Sequence, residues 1–145
     1  MATVRESNAL WEGTLKEGKG TVSVGKVFEG QYSFPSRFET GDGTNPEELL
    51  AASHAACYAM ALSAGLSKRD FKPKSVKTVA KVTLDKVGEG FEITKIELQT
   101  EAEVPGLDEK TFQEVAEATK TGCPISKALS AVKEIQLNAK LLAAV

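Results

Sequence analysis

The amino-acid sequence predicts an α+β fold in which antiparallel sheets surround one buried, apolar central helix. Three patterns carry this prediction: short runs separated by glycine before residue 36, a long apolar stretch over 45–66, and alternating apolar residues after 75 and after 135. Together they give the element order βββ–α–ββ–αα–β. Since the sequence shows no internal repeat and no linker, we expect residues 1–145 to form a single domain.

The composition limits the classes of function. The chain is 41% hydrophobic and 26% charged, as in ordinary soluble proteins, and its net charge of −2 argues against nucleic acid or an anionic membrane as partner. The first residues lack the apolar segment of a secretory signal, so we expect a cytoplasmic location. Two cysteines in a cytoplasmic protein are more typical of catalysis or redox sensing than of a structural bridge.

The first third of the chain reads as a small sheet. Residues 9–15, 20–25 and 28–34 predict three strands, and the glycines between them are typical of hairpin turns. A phosphate-binding loop is the alternative, but no helix follows these glycines at the required spacing. Pro35 is expected to end the sheet, and residues 36–44 are expected to form a loop that carries Arg37 towards the central helix.

The central helix has a clear start. Asn45 is a favourable N-cap, Pro46 fits the first turn, and Glu48 can complete a capping box with Asn45. No charged residue then occurs before Lys68, and a helix that is apolar on all sides is expected to be buried on all sides. A bilayer span is the other interpretation, but the run is rich in alanine and is interrupted by serines and His54.

The second half of the chain alternates and then turns helical. The predicted elements are a strand from Ser75, a hairpin turn at 87–90, a partner strand with a bulge near Thr94 and Lys95, a helix capped by Asp108 and ending near Thr121, a short helix over 125–132, and a final strand over 135–141.

The two cysteines stand in different local settings. Cys57 lies deep within the central helix, where a thiol among alanines is usually inert packing. Cys123 precedes Pro124 at the predicted start of a helix, and a sulfur at an N-cap faces unpaired N–H groups that favour the thiolate. The alternative for Cys123 is a small residue that fills the junction between two helices. Local physics alone therefore favours Cys123 as the attacking thiol.

His54, the only histidine, lies one turn before Cys57 on the same helix face. A metal site would need further ligands, of which Cys123 is the one available without carboxylates, and a Cys–His hydrolytic dyad is conceivable. A core histidine with one hydrogen bond is the interpretation we favour. We predict neither a metal site nor a cofactor.

Four segments of the chain, taken together, are similar to one known family. They are WEGTLKEGKGTVSV at 11–24, SRFETGDGTNPEELLAASHAAC at 36–57, VTLDKVGEGFEITKIEL at 82–98 and TGCPISKAL at 121–129. The chain resembles the OsmC/Ohr family, the osmotically inducible protein C and organic hydroperoxide resistance proteins, and is most similar to the OsmC branch.

The resemblance implies a thiol-dependent peroxidase of the antioxidant stress response, which reduces organic hydroperoxides as an intertwined homodimer. It implies that Cys57 attacks the peroxide and that Cys123 resolves the product as a disulfide, which overrides the local preference for Cys123. It also implies that Arg37 holds the Cys57 thiolate, that Glu47 orients Arg37, and that a small dithiol or a lipoyl protein is the reductant. A non-catalytic dimer that binds an apolar ligand is the alternative.

Helix geometry adds an expectation about Glu47. Glu47 and Cys57 stand ten positions apart, roughly 15 Å along a straight helix. If Glu47 serves Cys57, we expect it to come from a second subunit, with two central helices crossing at the alanines 51, 52 and 55. A contact between Glu47 and Arg37 within one chain would contradict this expectation.

Overall fold

The computed structural model describes residues 2–143. The elements are β1 (Ser7–Glu12), β2 (Lys19–Val24), β3 (Phe28–Tyr32), α1 (Phe34–Phe38), α2 (Pro46–Ser67), β4 (Ser75–Val87), β5 (Gly90–Glu103), α3 (Glu109–Gly122), α4 (Pro124–Ala128) and β6 (Glu134–Leu142). They belong to two compact units, a first unit (Met1–Leu49) and a second unit (Leu50–Val145). The expectation of one domain over residues 1–145 stays a prediction.

The first unit contains an antiparallel sheet in the order β1-β2-β3, as predicted. The predicted loop after it is wrong in part, because α1 (Phe34–Phe38) carries Arg37. The hydroxyl of Ser33 accepts the Ser36 N–H, and the Ser36 hydroxyl accepts the Ser33 N–H, so the two serines form a capping box. Pro35 lies in the first turn of α1, where its missing N–H costs nothing. The residue expected to stop the sheet therefore also starts a helix.

Hydrogen bonds fix α1 to the start of α2. The Ser36 hydroxyl donates to the Thr44 carbonyl at 2.7 Å, and the Asn45 amide donates to the Ser36 carbonyl at 3.0 Å. The Asn45 side chain also accepts the Glu48 N–H at 2.8 Å, which confirms the predicted N-cap. The Glu48 carboxylate accepts a hydrogen bond from the Thr44 hydroxyl. These bonds hold Arg37 and Glu47 near one another.

Within the second unit, α2 buries one face. The buried residues His54, Tyr58, Leu62 and Leu66 recur at every fourth position, which places them on one side of the helix. Ala52, Ala56, Met60 and Ala64 are exposed, and Met60 is 78% exposed. The prediction of burial on every side is therefore wrong for the single chain. By length and composition α2 could also span a membrane, a test that core helices of soluble proteins pass as well.

The second unit also contains a sheet in the order β4-β5-β6. The β4–β5 hairpin carries the predicted bulge, because Thr83 pairs with Lys95 while Leu84 pairs with Ile93, which leaves Thr94 without a partner in the ladder. β6 pairs with β5 in parallel, so the prediction of antiparallel sheets is wrong here. The helices α3 and α4 between these strands form the crossover that a parallel pair requires.

The apolar core of the second unit lies between this sheet, α2 and α3. Its buried members include Ile96, Leu98, Ala102, Phe112, Val115 and Ala116. The Asp108 carboxylate caps α3 as predicted, by accepting the Thr111 N–H at 2.9 Å. The last short helix is shorter than predicted, since α4 ends at Ala128, but Leu129 and Val132 still pack against the core.

Candidate active site

The second unit brings its two cysteines together in the core. Cys57 is half-buried on α2, whereas Cys123 is 1% exposed at the junction of α3 and α4. Both are free thiols, and Cys123 lies near enough to Cys57 to raise the pKa of the Cys57 thiol. The fold therefore places the two sulfurs so that they can meet.

Cys123 ends one helix and begins the next. Its N–H donates to the Thr119 carbonyl at 3.0 Å, and its sulfur accepts the Ser126 N–H at 3.4 Å as the N-cap of α4. The predicted N-cap is confirmed. The Cys123 thiol also donates to the Ser126 hydroxyl at 3.2 Å. Ser126 thus contacts this sulfur through both its backbone and its side chain, a role that the sequence analysis missed.

The electrostatics at Cys57 disfavour its ionised form. Burial raises the pKa of the Cys57 thiol, a hydrogen bond from the Ile125 N–H lowers it, and the adjacent Cys123 raises it further. The net effect is a pKa above the ordinary thiol value. A reactive Cys57 thiolate therefore needs positive charge beyond the Ile125 N–H.

His54 is fully buried on the core face of α2 and binds Ser126. Its Nε2 atom lies 2.7 Å from the Ser126 hydroxyl, while its Nδ1 atom has no hydrogen-bond partner. Burial lowers the pKa of His54, which favours the neutral ring. This confirms the core histidine with one hydrogen bond over a dyad with Cys57. Within residues 2–143 no cluster of three His, Cys, Asp or Glu side chains is arranged to hold a metal ion.

Tyr58 fixes α2 against α3 beside the thiols. Its hydroxyl donates to the Ala116 carbonyl at 2.9 Å, and its ring is fully buried. Burial, together with the charges of Glu117 and Cys123, raises the pKa of Tyr58. The phenol consequently remains a hydrogen-bond donor at neutral pH and holds the helix that carries Cys57.

The first unit brings Arg37 and Glu47 together as an ion pair. Arg37 Nε lies 2.9 Å from Glu47 Oε1 and Arg37 Nη2 lies 3.1 Å from Glu47 Oε2, so the pair is bidentate. The Arg37 guanidinium also lies 5.2 Å from the centre of the Phe38 ring. The expectation that Glu47 comes from a second subunit is wrong, because this contact forms within one chain. Its cause is α1, which the sequence analysis read as a loop.

Comparison with known proteins finds relatives of this chain that are named as a peroxiredoxin and as organic hydroperoxide resistance proteins. The model of the OsmC-like protein family matches residues 39–138. The peroxiredoxin OsmC of Escherichia coli is 49% identical over 143 residues, which cover 97% of this chain and 99% of that protein. An organic hydroperoxide resistance protein of Xanthomonas axonopodis is 34% identical over 116 residues, or 78% of this chain and 79% of that protein.

Solved structures agree on the architecture. An OsmC-like protein from Mycoplasma pneumoniae superposes with a TM-score of 0.76 at 18% identity, over 99% of this chain and 100% of that one. At this identity the likeness concerns the fold alone. The α+β fold of this chain is the OsmC-like fold.

Proposed function

The chain belongs to the OsmC family and is a peroxidase, and we propose that it reduces organic hydroperoxides to alcohols through Cys57 and Cys123. The observation that carries this proposal is the proximity of the two thiols in the core of the second unit. Two neighbouring cysteines can pass between dithiol and disulfide with little movement.

The proposed cycle has two steps. The Cys57 thiolate attacks one oxygen of the hydroperoxide, the O–O bond breaks, and the alkoxide leaves and takes up a proton to become the alcohol. Cys57 is then a sulfenic acid. Cys123 attacks its sulfur, the S–S bond forms, and the hydroxyl group leaves as water. This second step protects Cys57 from over-oxidation.

The environment of Cys123 suits the return of the disulfide to the dithiol. An external thiol that attacks Cys57 must displace the Cys123 sulfur, and a stabilised thiolate leaves faster. The Ser126 N–H and hydroxyl both lie within hydrogen-bond distance of that sulfur. We propose a small dithiol or a lipoyl protein as the reductant, in the cytoplasm, where such reductants keep thiols reduced.

Arg37 is the cation that we assign to the Cys57 thiolate. A guanidinium keeps its proton at any physiological pH, and its planar form is well suited to bidentate pairing with a carboxylate. The Glu47 carboxylate accepts hydrogen bonds from two nitrogens of Arg37, and its side chain is only 12% exposed. Glu47 therefore fixes the direction of the guanidinium. Glu47 acts on Cys57 only through Arg37, so we assign it a positioning role.

The substrate class follows from the apolar surroundings of Cys57. Ala61, Tyr58, Ile125 and Leu129 belong to the same apolar cluster as this thiol. Such walls favour a hydroperoxide with an apolar group, because burial of hydrogen peroxide would cost its hydration without an apolar gain.

A homodimer accounts for the exposed face of α2. Ala52, Ala56, Met60 and Ala64 form a continuous apolar stripe on a helix that has no charged residue between Glu48 and Lys68. Small residues permit close approach of a second helix, and we propose that a second copy of the chain covers this stripe.

The proposal is tested by turnover of cumene hydroperoxide with dithiothreitol as reductant. We expect the wild-type chain to release cumyl alcohol over many cycles, and to reduce hydrogen peroxide more slowly. A chain that binds cumene hydroperoxide without releasing alcohol would contradict the peroxidase and support the non-catalytic binder. Ser130→Ala, at an exposed position after α4, is a matched control that should turn over normally.

A further inference from the structure

A hydrogen-bonded line joins Cys123 to the single histidine of the chain. The Cys123 sulfur lies 3.2 Å from the Ser126 hydroxyl, and that hydroxyl lies 2.7 Å from His54 Nε2. Cys123, Ser126 and His54 are 1%, 4% and 0% exposed, so the line is enclosed in the core. In the cycle described above Ser126 serves only to stabilise the Cys123 sulfur as a leaving group, and His54 has no part.

These hydrogen bonds are compatible with a neutral His54 whose Nε2 atom is the acceptor. Because the Cys123 thiol donates to the Ser126 oxygen, the single proton of that hydroxyl is free to be donated to His54 Nε2. In this tautomer the ring proton lies on Nδ1. That atom has no hydrogen-bond partner, which is a costly arrangement for a buried N–H group. The arrangement leaves Nε2 as a base at the end of the line.

We propose that Ser126 and His54 accept the proton of Cys123 as it attacks the Cys57 sulfenic acid, an inference that rests on the proposed function. The Cys123 S–H proton passes to the Ser126 oxygen, and the Ser126 proton passes to His54 Nε2. The Cys123 sulfur bonds to the Cys57 sulfur, and hydroxide departs. The imidazolium then returns one proton to the hydroxide, so that the net products are one disulfide and one water.

The roles of the two residues differ. Ser126 touches the reacting sulfur of Cys123 and is a catalytic residue of the resolving step. His54 reaches that sulfur only through Ser126 and is a positioning residue that holds the proton. Both act after the hydroperoxide has reacted, so neither changes the attack by Cys57.

Other titratable groups near Cys123 do not fit this role. The Cys57 sulfur is the electrophile in the resolving step, so it does not act as the base. Tyr58 on α2 has a raised pKa and donates its hydroxyl proton to the Ala116 carbonyl. The charge of Glu117 on α3 raises the pKa of Tyr58. Since Cys123 is 1% exposed, bulk water is a poor acceptor as well.

The competing path is direct transfer of the Cys123 proton to the departing hydroxyl. Two variants separate the paths. Ser126→Ala breaks the line at its centre, while His54→Gln keeps an amide oxygen that can accept the Ser126 proton in a hydrogen bond but cannot act as a base. Ser130→Ala is the matched control at an exposed serine.

The experiment mixes each reduced protein with one equivalent of cumene hydroperoxide and quenches it over time. Dimedone captures the Cys57 sulfenic acid, and mass spectrometry follows that adduct and the disulfide. We expect alcohol to form at the wild-type rate in all three variants. Disulfide formation should be about 100-fold slower in Ser126→Ala and His54→Gln, within the range for removal of a general base.

The pH profile provides a reading that a packing defect would not give. The lowered pKa of His54 keeps its ring neutral from about pH 6.5 upwards, so disulfide formation in the wild type should be flat between about pH 6.5 and 8. In Ser126→Ala it should rise about tenfold per pH unit, because hydroxide from the solvent must then take the proton.

Three outcomes are decisive. A wild-type disulfide rate and a flat profile in both variants would overturn the proton line and leave the peroxidase intact. Equal slowing of alcohol release and disulfide formation would also overturn it, because that result means general damage. If the wild type forms alcohol but never a disulfide, both the resolving role of Cys123 and this inference fail.

Discussion

The surroundings of Cys57 and of Cys123 differ in burial and in the hydrogen-bond partners that they offer to the sulfur. Cys57 is half-buried and receives one backbone hydrogen bond, from Ile125, while burial raises its pKa. Cys123 is sealed in the core, where its sulfur accepts the Ser126 N–H and its thiol donates to the Ser126 hydroxyl. The proposed assignment divides the roles accordingly: the more open sulfur, Cys57, would react with the substrate and need a cation for its charge, and the sealed sulfur, Cys123, would rely on fixed neutral partners.

The largest predicted effect is on alcohol release when the sulfur of Cys57 or of Cys123 is removed. Cys57→Ser should abolish alcohol release from cumene hydroperoxide, because a serine hydroxyl does not attack a peroxide at neutral pH. Cys123→Ser should release the first equivalent of alcohol at the wild-type rate, then one or two slower equivalents as further hydroperoxide oxidises Cys57 to the sulfinic and sulfonic acids, and then stop. Gas chromatography of cumyl alcohol and the intact mass of the protein measure the two outcomes.

The same pair of variants can contradict the assignment. Full turnover by Cys57→Ser, with loss of the first equivalent in Cys123→Ser, would mean that Cys123 is the attacking thiol. That is the order which local helix physics favours, so the experiment decides between the local argument and the family resemblance.

A second prediction sharpens the comparison through Arg37. Arg37→Met should lower the rate of attack by Cys57 about 10- to 1,000-fold at pH 7, because loss of a nearby cation raises a thiol pKa by about one to three units. Since burial already raises the pKa of Cys57, the rate should recover as the pH rises. The pH dependence of alcohol release measures this shift.

Two controls accompany Arg37→Met. Arg69→Met removes an arginine whose ion pair with Glu114 is exposed and 4.0 Å long, and it should have no effect. Arg37→Lys keeps the charge but loses the bidentate pairing with Glu47. Its rate of attack by Cys57 should lie between the rates of Arg37→Met and Arg69→Met. If alcohol release by Arg37→Met had the wild-type pH dependence, Arg37 would not be the cation that stabilises the Cys57 thiolate.

A third prediction concerns the exposed stripe of α2, which runs past Cys57 to Ala64. Met60→Glu should convert a dimer to single chains, because an unpaired carboxylate would be buried at the interface. Val27→Glu, at a turn position that is 96% exposed, is the control and should leave the dimer unchanged. Sedimentation equilibrium measures the mass, and a single-chain mass for the wild type would contradict the proposed dimer.

The smallest predicted effect is on stability and isolates His54. Its folded-state pKa lies below the ordinary value of about 6.5, so the unfolded chain takes up the proton first as the pH falls. The free energy of unfolding should therefore decline below about pH 6.5, with a contribution from this residue of at most about 1.4 kcal/mol per pH unit.

Urea unfolding of the wild type and His54→Gln between pH 5 and 8 measures this contribution. The variant should have a shallower decline below pH 6.5, because glutamine binds no proton in this range. Parallel curves for the two proteins would show that His54 is protonated equally in the folded and unfolded chains.

Local sequence signals predicted the parts of the fold that depend on neighbouring residues. Asn45 and Asp108 mark helix starts, the change of phase near Thr94 marks a bulge, and Pro124 places Cys123 at a cap. Each feature has its cause within a few positions of the chain, which is why periodicity and capping chemistry can identify it.

The features that the sequence could not predict depend on distant or external partners. The alternation of apolar residues in β6 does not indicate whether this strand runs parallel or antiparallel to β5. The crossover through α3 and α4 makes the pair parallel. An apolar helix predicts burial, but it does not show whether the residues that bury it belong to the same chain. For this reason the exposed face at Met60 was not predicted. In α1, Pro35 followed by a short polar run concealed a helix that the two serines cap.

The candidate site was predictable in its residue types but not in its connections. The resemblance singled out Arg37 and Glu47, and only the structure shows their bidentate contact within one chain. Ser126 stands three positions after Cys123, the spacing of a capping partner, and that signal could have been used. Its bond to His54 spans 72 positions, and no local pattern carries such information.

The most direct measurement is the mass of the intact, reduced protein after one equivalent of cumene hydroperoxide, followed by peptide mapping. The account predicts a loss of two hydrogens and a single linked peptide that contains Cys57 and Cys123. An unchanged mass, or a stable added oxygen with Cys123 still a free thiol, would contradict it.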